Sequence, residues 1–328
     1  MNNENIGIEE ISYYLPKSII TSDELSDNYG YNKEFIETKV GVKKLFIEKE
    51  LSTTDMAENV LEQLLSNKEH LRKKIELLVV CTQTPEYQLP QTSAQVQYRC
   101  GLNNSIASFD ISLGCSGYVY GLSVIESLLV SLNLNYGVLI TVEKYSSIID
   151  DNDRNTKCLF SDASSATLLS RDGKLIPGKY KFGTDGEFYD SLIVRNKNSN
   201  NDRINNILSM NGREIFNFTV GKIPNEISDV CKLNDLRERE IDHFVIHQAS
   251  SFVISSIAAR LEYDSIDKFA NYMHIFGNTV SSSIPISLCK LTQDMDSIGN
   301  KILISGFGVG LSWGSVVLFN KGGFNYEK

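Results

Sequence analysis

Apolar and polar positions change period several times along the chain. From Ser52 to Asn67, Met56, Val60, Leu61, Leu64 and Leu65 recur at three- and four-residue intervals, which predicts an amphipathic helix. Thr21-x-x-Glu24 has the form of a capping box, and Gly101 closes a predicted helix over 92–100. Between the helical stretches the pattern turns to apolar, β-branched runs at 75–81, 106–112 and 136–142, as strands buried on both faces require. Strands alternating with helices predict a layered α/β architecture. One stretch departs from both periods: RNKNSNNDRINN, Arg195 to Asn206, is polar and Asn-rich and reads as a surface loop or flap.

The pattern also repeats. IELLVVCTQ, from Ile75, resembles IDHFVIHQA, from Ile241, 166 residues later, and YGVLITV, from Tyr136, resembles NKILISG, from Asn300, 164 residues later. Apolar strands resemble one another by chance, but two pairs at nearly one offset favour a duplication, with residues 1–170 and 171–328 as two copies of one strand–helix unit. An offset between the two brings Cys115 close to Ser281 in GNTVSSSIPISL.

Composition narrows the setting. With 328 residues, 41% of them hydrophobic, the chain can bury a large core. MNNENIGIEE has no basic start followed by an apolar stretch, and no run reaches the roughly 18 apolar residues of a membrane span, so a cytoplasmic protein with no membrane partner is expected. A net charge of −9 argues against nucleic acid as the main partner. The six cysteines carry neither CxxC spacing nor close histidines, which predicts free thiols and no metal site.

Cys115 stands apart from the other five. A predicted strand feeds Gly114-Cys115-Ser116-Gly117, and a mainly apolar helix follows. Unpaired N–H groups at a helix start favour thiolate, and flanking glycines admit a substrate carbonyl, so this cysteine is a candidate nucleophile rather than a small buried hydrophobe. Of the four histidines, His247 ends the apolar strand HFVI at its carboxyl end, where α/β sheets place their sites. It is the candidate acid/base partner. Asn278, in FGNT, either donates a hydrogen bond to a thioester carbonyl or caps the helix after it. GFGVGLSWGS, Gly306 to Ser315, puts Trp313 at the last glycine position of GxGxxG and reads as a loop of backbone donors, not a nucleotide site.

Taken in order, GCSGYVYGL, HQAS, FGNT and GFGVGLSWGS, with DRNT at Asp153, SDAS at Ser161 and MNGREIF at Met210, resemble the β-ketoacyl-acyl-carrier-protein synthase III family of the thiolase-like superfamily over nearly the whole chain. The resemblance implies a thiolase-like, duplicated αβαβα layered fold with two pseudo-symmetric halves, and a homodimer. It implies a catalytic triad of Cys115, His247 and Asn278, with an oxyanion hole from the backbone N–H groups of Cys115 and Val309. Val309 is a departure, because the family has a glycine triplet where Gly308-Val309-Gly310 stands.

The substrate contacts depart further. Phe35 and Lys39 align where the family commonly shows a Trp and an Arg that contact coenzyme A, whereas Arg154 matches an adenine-side arginine. Phe216, in MNGREIF, and Ser250, in place of the Asn of HQAN, join the expected substrate contacts, and Leu89 aligns with a bulky residue that crosses the dimer into the acyl pocket. No cofactor is implied beyond acyl-coenzyme A or acyl-carrier-protein thioesters as substrates, with acyl carrier protein as partner. Lysine offers a point charge where arginine offers a planar fork, which points to carrier-protein primers.

The implied reaction is a decarboxylative Claisen condensation of a Cys-bound acyl group with a malonyl thioester, giving a β-ketoacyl thioester in fatty-acid or related acyl-chain biosynthesis. The alternative is a non-condensing acyltransferase of the same fold that passes the acyl group to a hydroxyl or amine. A catalytically silent partner subunit is disfavoured by the presence of Cys115. A papain-like protease lacks its C-G-[SA]-C-[WY] neighbourhood here.

Overall fold

The computed structural model describes residues 5–195, 206–294 and 299–322. Nearly all of the polar Asn-rich stretch at 195–206 lies outside the described residues.

Ten strands form the main sheet: β1 (Gly7–Tyr14), β2 (Leu77–Cys81), β3 (Ala107–Ile111), β4 (Tyr136–Glu143), β5 (Ala163–Ser170), β6 (Leu175–Pro177), β7 (Lys181–Thr184), β8 (His243–Ile246), β9 (Lys301–Gly308) and β10 (Ser312–Asn320). In the first half the spatial order is β3-β2-β4-β5-β1; in the second it is β8-β9-β10-β6, with β7 paired to β10. A parallel bridge between Phe244 and Phe269 stands beside β8 where β3 stands beside β2, so the second half repeats the order of the first.

Directions repeat as well. β2 is parallel to β4 as β8 is to β9, and β5 is antiparallel to both neighbours as β10 is to β9 and β6. The two sequence repeats therefore occupy matching positions, β2 with β8 and β4 with β9. The halves are joined in the sheet by one residue pair, Ile8 with Leu175.

Local sequence explains the layers. α1 (Thr53–Leu65) starts at a capping box of Ser52 and Asp55, and its stripe of Met56, Val60, Leu61, Leu64 and Leu65 is buried against β1, β4 and β5. Each such leucine contributes about 1.5–3 kcal/mol by leaving water. α2 (Gly117–Ser131) and α5 (Ser283–Asp294) form the middle layer and touch strands of both halves. A helix walled on both sides must be apolar nearly all round, as GYVYGLSVIESLLVS is. α3 (Gly212–Leu233) and α4 (Ser251–Arg260) lie against each other, with α3 covering β9 and β10 from outside. The result is helix, sheet, helix, sheet, helix. Among the described residues no helix is long and apolar enough to cross a membrane.

Candidate active site

The chain leaves β3 and turns through Gly114-Cys115-Ser116 into α2, so Cys115 stands two residues ahead of the first helical residue. Ser116 is the N-cap, but its hydroxyl bonds to Ser312 Oγ at 2.8 Å, and the helix start has no side-chain cap. β9 supplies the opposite wall. A Cβ on Gly308 would sit 2.8 Å from Cys115 Sγ, so only glycine lets this strand approach the sulfur. The backbone N–H groups of Cys115 and Val309 both bond to the sulfur and favour its thiolate.

They do not prevail. Burial first, and Glu143 second, push the Cys115 thiol up to about 12. This reverses the expectation of a thiolate raised from the helix start alone, because Cys115 is buried at the cavity's inner end and desolvation of the charged form outweighs two amides.

His247 follows β8, its N–H continuing the ladder to Ser305 O at 2.8 Å. Gln248 fastens this strand end: its side chain donates to Ile246 O and Ala270 O and accepts from Tyr272 N–H. His247 Nδ1 lies 2.8 Å from Ser283 Oγ, whose own hydrogen goes to Val280 O at 2.9 Å. A hydroxyl has one hydrogen, so Nδ1 is the donor in that arrangement, and Nε2 keeps its lone pair. Burial pulls the His247 pKa down to about 3, against the Val280 carbonyl, which favours the protonated ring. Thiol and imidazole thus both rest neutral.

Asn278 divides its two polar atoms. Its Oδ1 accepts from Val280 N–H at 2.9 Å, as a cap would, while among the described residues Nδ2 has no protein partner. The same amide both caps the turn and presents a donor. Val280 holds φ +54°, a left-handed conformation that a β-branched residue adopts only when its surroundings impose it, at a cost of roughly 1–3 kcal/mol. Its N–H fixes Asn278 and its carbonyl bonds both His247 and Ser283.

These side chains open onto one cavity of about 920 Å³. Cys115, His247 and Asn278 line its floor with Gly308, and Phe35, Lys39, Arg154, Phe216 and Ser250 line it as well. Phe35 is 54% exposed at the mouth. Lys39 Nζ sits over the Phe252 ring at 5.1 Å, and Phe252 stacks on Phe216 at 5.2 Å, so the cation rests on an aromatic shelf. Ser250 is the N-cap of α4, accepting from Val253 N–H at 3.1 Å. Leu89 does not line the cavity; it is 86% exposed.

Sequence reading missed Ser283, Val280, Glu143 and Phe252. Ser283 and Val280 sit in the Ser-rich run after FGNT, whose spacing gives no hint that it folds back onto His247. Glu143 did leave a signal, an acidic residue closing the apolar run of β4 at its carboxyl end. The aromatic at Phe252 lines the cavity itself but carries no motif.

Comparison with known proteins follows the same residues. Residues 109–186 match a family model described as 3-oxoacyl-[acyl-carrier-protein] synthase III, and residues 231–319 match the model of its C-terminal part. β-Ketoacyl-[acyl-carrier-protein] synthase III of Lactococcus lactis subsp. cremoris is 34% identical over 322 residues, covering 95% of this chain and 98% of the relative. The Streptococcus mutans protein of the same name is 33% identical over 320 residues, with the same coverage. Crystal structures of 3-oxoacyl-[acyl-carrier-protein] synthase III from Aquifex aeolicus and of β-ketoacyl-[acyl-carrier-protein] synthase III from Thermus thermophilus superimpose with TM-scores of 0.88 and 0.87, each at 28% identity. They cover 96% and 97% of this chain, and 99% and 100% of their own.

Proposed function

The chain belongs to the 3-oxoacyl-[acyl-carrier-protein] synthase III family, and on that premise we propose that it condenses a Cys115-bound acyl group with a malonyl thioester, releasing carbon dioxide and a β-ketoacyl thioester. The observation that carries the reading is the split use of Asn278: its carbonyl is tied to Val280, so its NH₂ is aimed into the cavity that holds Cys115 and His247. A plain acyl transfer has no need of that donor.

In acylation, the thiol of Cys115 attacks the acyl thioester as Nε2 of His247 takes its proton. The N–H groups of Cys115 and Val309 receive the developing oxyanion, a type of contact whose loss typically costs about 10²–10³ in rate. The tetrahedral intermediate then expels the first thiol, which leaves with the proton from His247. In condensation, the malonyl thioester carbonyl lies between Nε2 of His247 and Nδ2 of Asn278. Loss of carbon dioxide gives an enolate held by these donors, the enolate carbon attacks the acyl carbonyl, the C–S bond to Cys115 breaks, and the released thiolate takes a proton from water to restore the neutral thiol.

His247 thus serves first as acceptor and then as donor through one nitrogen, which requires both neutral tautomers. Ser283 suits this, since its hydroxyl can accept from Nδ1 while donating to Val280 O, or turn and donate to Nδ1. A carboxylate partner could only accept.

The aromatic shelf supports acyl carrier protein as partner and carrier-bound primers as substrates, because Lys39 is a point charge already engaged with Phe252. Exposed Leu89 supports a homodimer whose partner covers it. Incubation with an acyl-carrier-protein or coenzyme A primer and malonyl-acyl carrier protein should yield a β-ketoacyl thioester by mass spectrometry. An ester or amide product without carbon dioxide would instead support acyl transfer to oxygen or nitrogen.

A further inference from the structure

Glu143, the last residue of β4, is fully buried. Its Oε1 accepts from the Ser281 hydroxyl at 3.0 Å, and its Oε2 accepts from Gln83 N–H at 3.1 Å and from the Thr84 hydroxyl at 3.2 Å. Thr84 Oγ1 also accepts from Lys144 N–H at 2.8 Å, which directs the threonine's hydrogen to the carboxylate. Three segments meet on one side chain: the end of β4, the turn after β2, and the turn that follows Asn278. Among the described residues no basic side chain forms an ion pair with it. A buried carboxyl held by neutral donors alone is an expensive choice for mere packing, which a neutral side chain would perform as well.

Its position suggests what the carboxyl does. Ser281 adjoins Val280, whose strained backbone holds Asn278 by its N–H and His247 by its carbonyl. Glu143 also stands close behind the nucleophile's corner: Gln83, whose N–H it accepts, packs against Gly114, and Ser281, whose hydroxyl it accepts, neighbours Gly117, so that a charge on Glu143 disfavours one on Cys115. The other titratable groups facing it are Cys81, Tyr145, whose hydroxyl bonds to Gln83 Oε1 at 2.8 Å, and Asp162.

We propose that Glu143 is a positioning residue: through Ser281 it holds the strained 280–282 turn so that Asn278 and His247 aim into the cavity, and its ionisation opposes that of Cys115. The first half rests on the condensing reading; the second does not. Burial pushes the Glu143 carboxyl up to about 8, so it carries its proton at neutral pH and becomes charged above that range. The Ser281 hydroxyl serves both forms, because it can turn from donor to acceptor. Once charged, Glu143 makes the thiolate of Cys115 harder to form, and this effect is confined to alkaline pH.

The test uses the full chain and two variants, Glu143→Gln and Ser281→Ala. Alkylation of Cys115 by iodoacetamide is followed by intact mass from pH 6.5 to 10, and carbon dioxide release from malonyl thioester is measured on the acylated enzyme. Glu143→Gln should alkylate like the parent at pH 6.5 and up to about tenfold faster above pH 9, one unit of thiol pKa being a factor of ten. Its condensation should nevertheless fall, by roughly tenfold to a hundredfold for a misplaced donor pair. Ser281→Ala should lose condensation similarly while alkylating like the parent at pH 6.5. A thiol more reactive only at alkaline pH, in a slower enzyme, separates this from general destabilisation, which would expose buried Cys115 and speed its alkylation at pH 6.5 as well. Superimposable alkylation profiles for parent and Glu143→Gln would overturn the electrostatic half, and parent-rate condensation by both variants would overturn the positioning half. If Glu143→Gln does not fold, the parent decides the electrostatic half: its alkylation rate should climb by less than about tenfold per pH unit above pH 8, and a full tenfold climb would refute it. A parent that never releases carbon dioxide would refute the condensing reading instead, leaving the alkylation comparison intact.

Discussion

If Asn278 does two jobs with two atoms, as proposed, two substitutions should pull them apart. Asn278→Ala removes both the acceptor for Val280 N–H and the donor that faces the cavity; Asn278→Asp keeps an oxygen for Val280 and loses the NH₂. Loss of one preorganised donor costs about 2.7–4 kcal/mol in the transition state, or about 10²–10³ in rate. Loss of the acceptor strands a buried amide, worth about 1–3 kcal/mol of stability, in a turn that already holds Val280 at φ +54°. Both variants should therefore condense at least about a hundredfold more slowly at pH 8, and only the alanine variant should also melt lower. Lowering the pH should partly restore the aspartate variant, because a protonated carboxyl again offers a hydrogen to the enolate. Loading should survive in both, since the amides of Cys115 and Val309 and the imidazole of His247 are untouched. The assay is single-turnover acylation by intact mass beside labelled carbon dioxide release. An Asn278→Asp protein that condenses at the parent rate at pH 8 would reduce Asn278 to a cap.

Other expectations follow from single contacts. Gly308→Ala would place a methyl 2.8 Å from Cys115 Sγ and should abolish loading while leaving the circular dichroism spectrum unchanged. With Cys115 pushed up to about 12 and His247 pulled down to about 3, the free enzyme holds a neutral pair. Iodoacetamide should then alkylate Cys115 about tenfold faster per pH unit between pH 6 and 8, whereas a flat rate over that range would reveal a thiolate–imidazolium pair. Leu89→Asp should convert a dimer to monomer in sedimentation at micromolar concentration; an unchanged mass would remove Leu89 from any interface.

Much of this fold could be read in the sequence because its determinants are local. The stripe from Met56 to Leu65 lies wholly within one helix, and the buried runs of β2 and β4 fall within two residues of their expected limits. The place of Cys115 at a tight corner between strand and helix was legible for the same reason, the glycines about it being needed wherever backbone or side chains crowd that close. Asn278, His247 and Cys115 line one cavity although their separations in sequence say nothing of it directly; the duplicated pattern does, by setting the two halves face to face. What escaped depends on long-range meetings. Ser281 reaches Glu143 and Ser283 reaches His247 across distances in the chain that no period encodes. The protonation of Cys115 escaped because a helix start is visible in sequence, whereas the desolvation that outweighs it is a property of the assembled walls.

Condensation means that the acyl group on Cys115 leaves by carbon–carbon bond formation. The most direct measurement isolates the acylated enzyme, adds malonyl thioester labelled in its free carboxyl, and follows acyl loss from Cys115 by intact mass alongside labelled carbon dioxide. One carbon dioxide released per acyl group lost, with the β-ketoacyl thioester as product, is the predicted result. Loss of the acyl group to a hydroxyl or amine acceptor, with no carbon dioxide released from malonyl thioester under any condition, would contradict it.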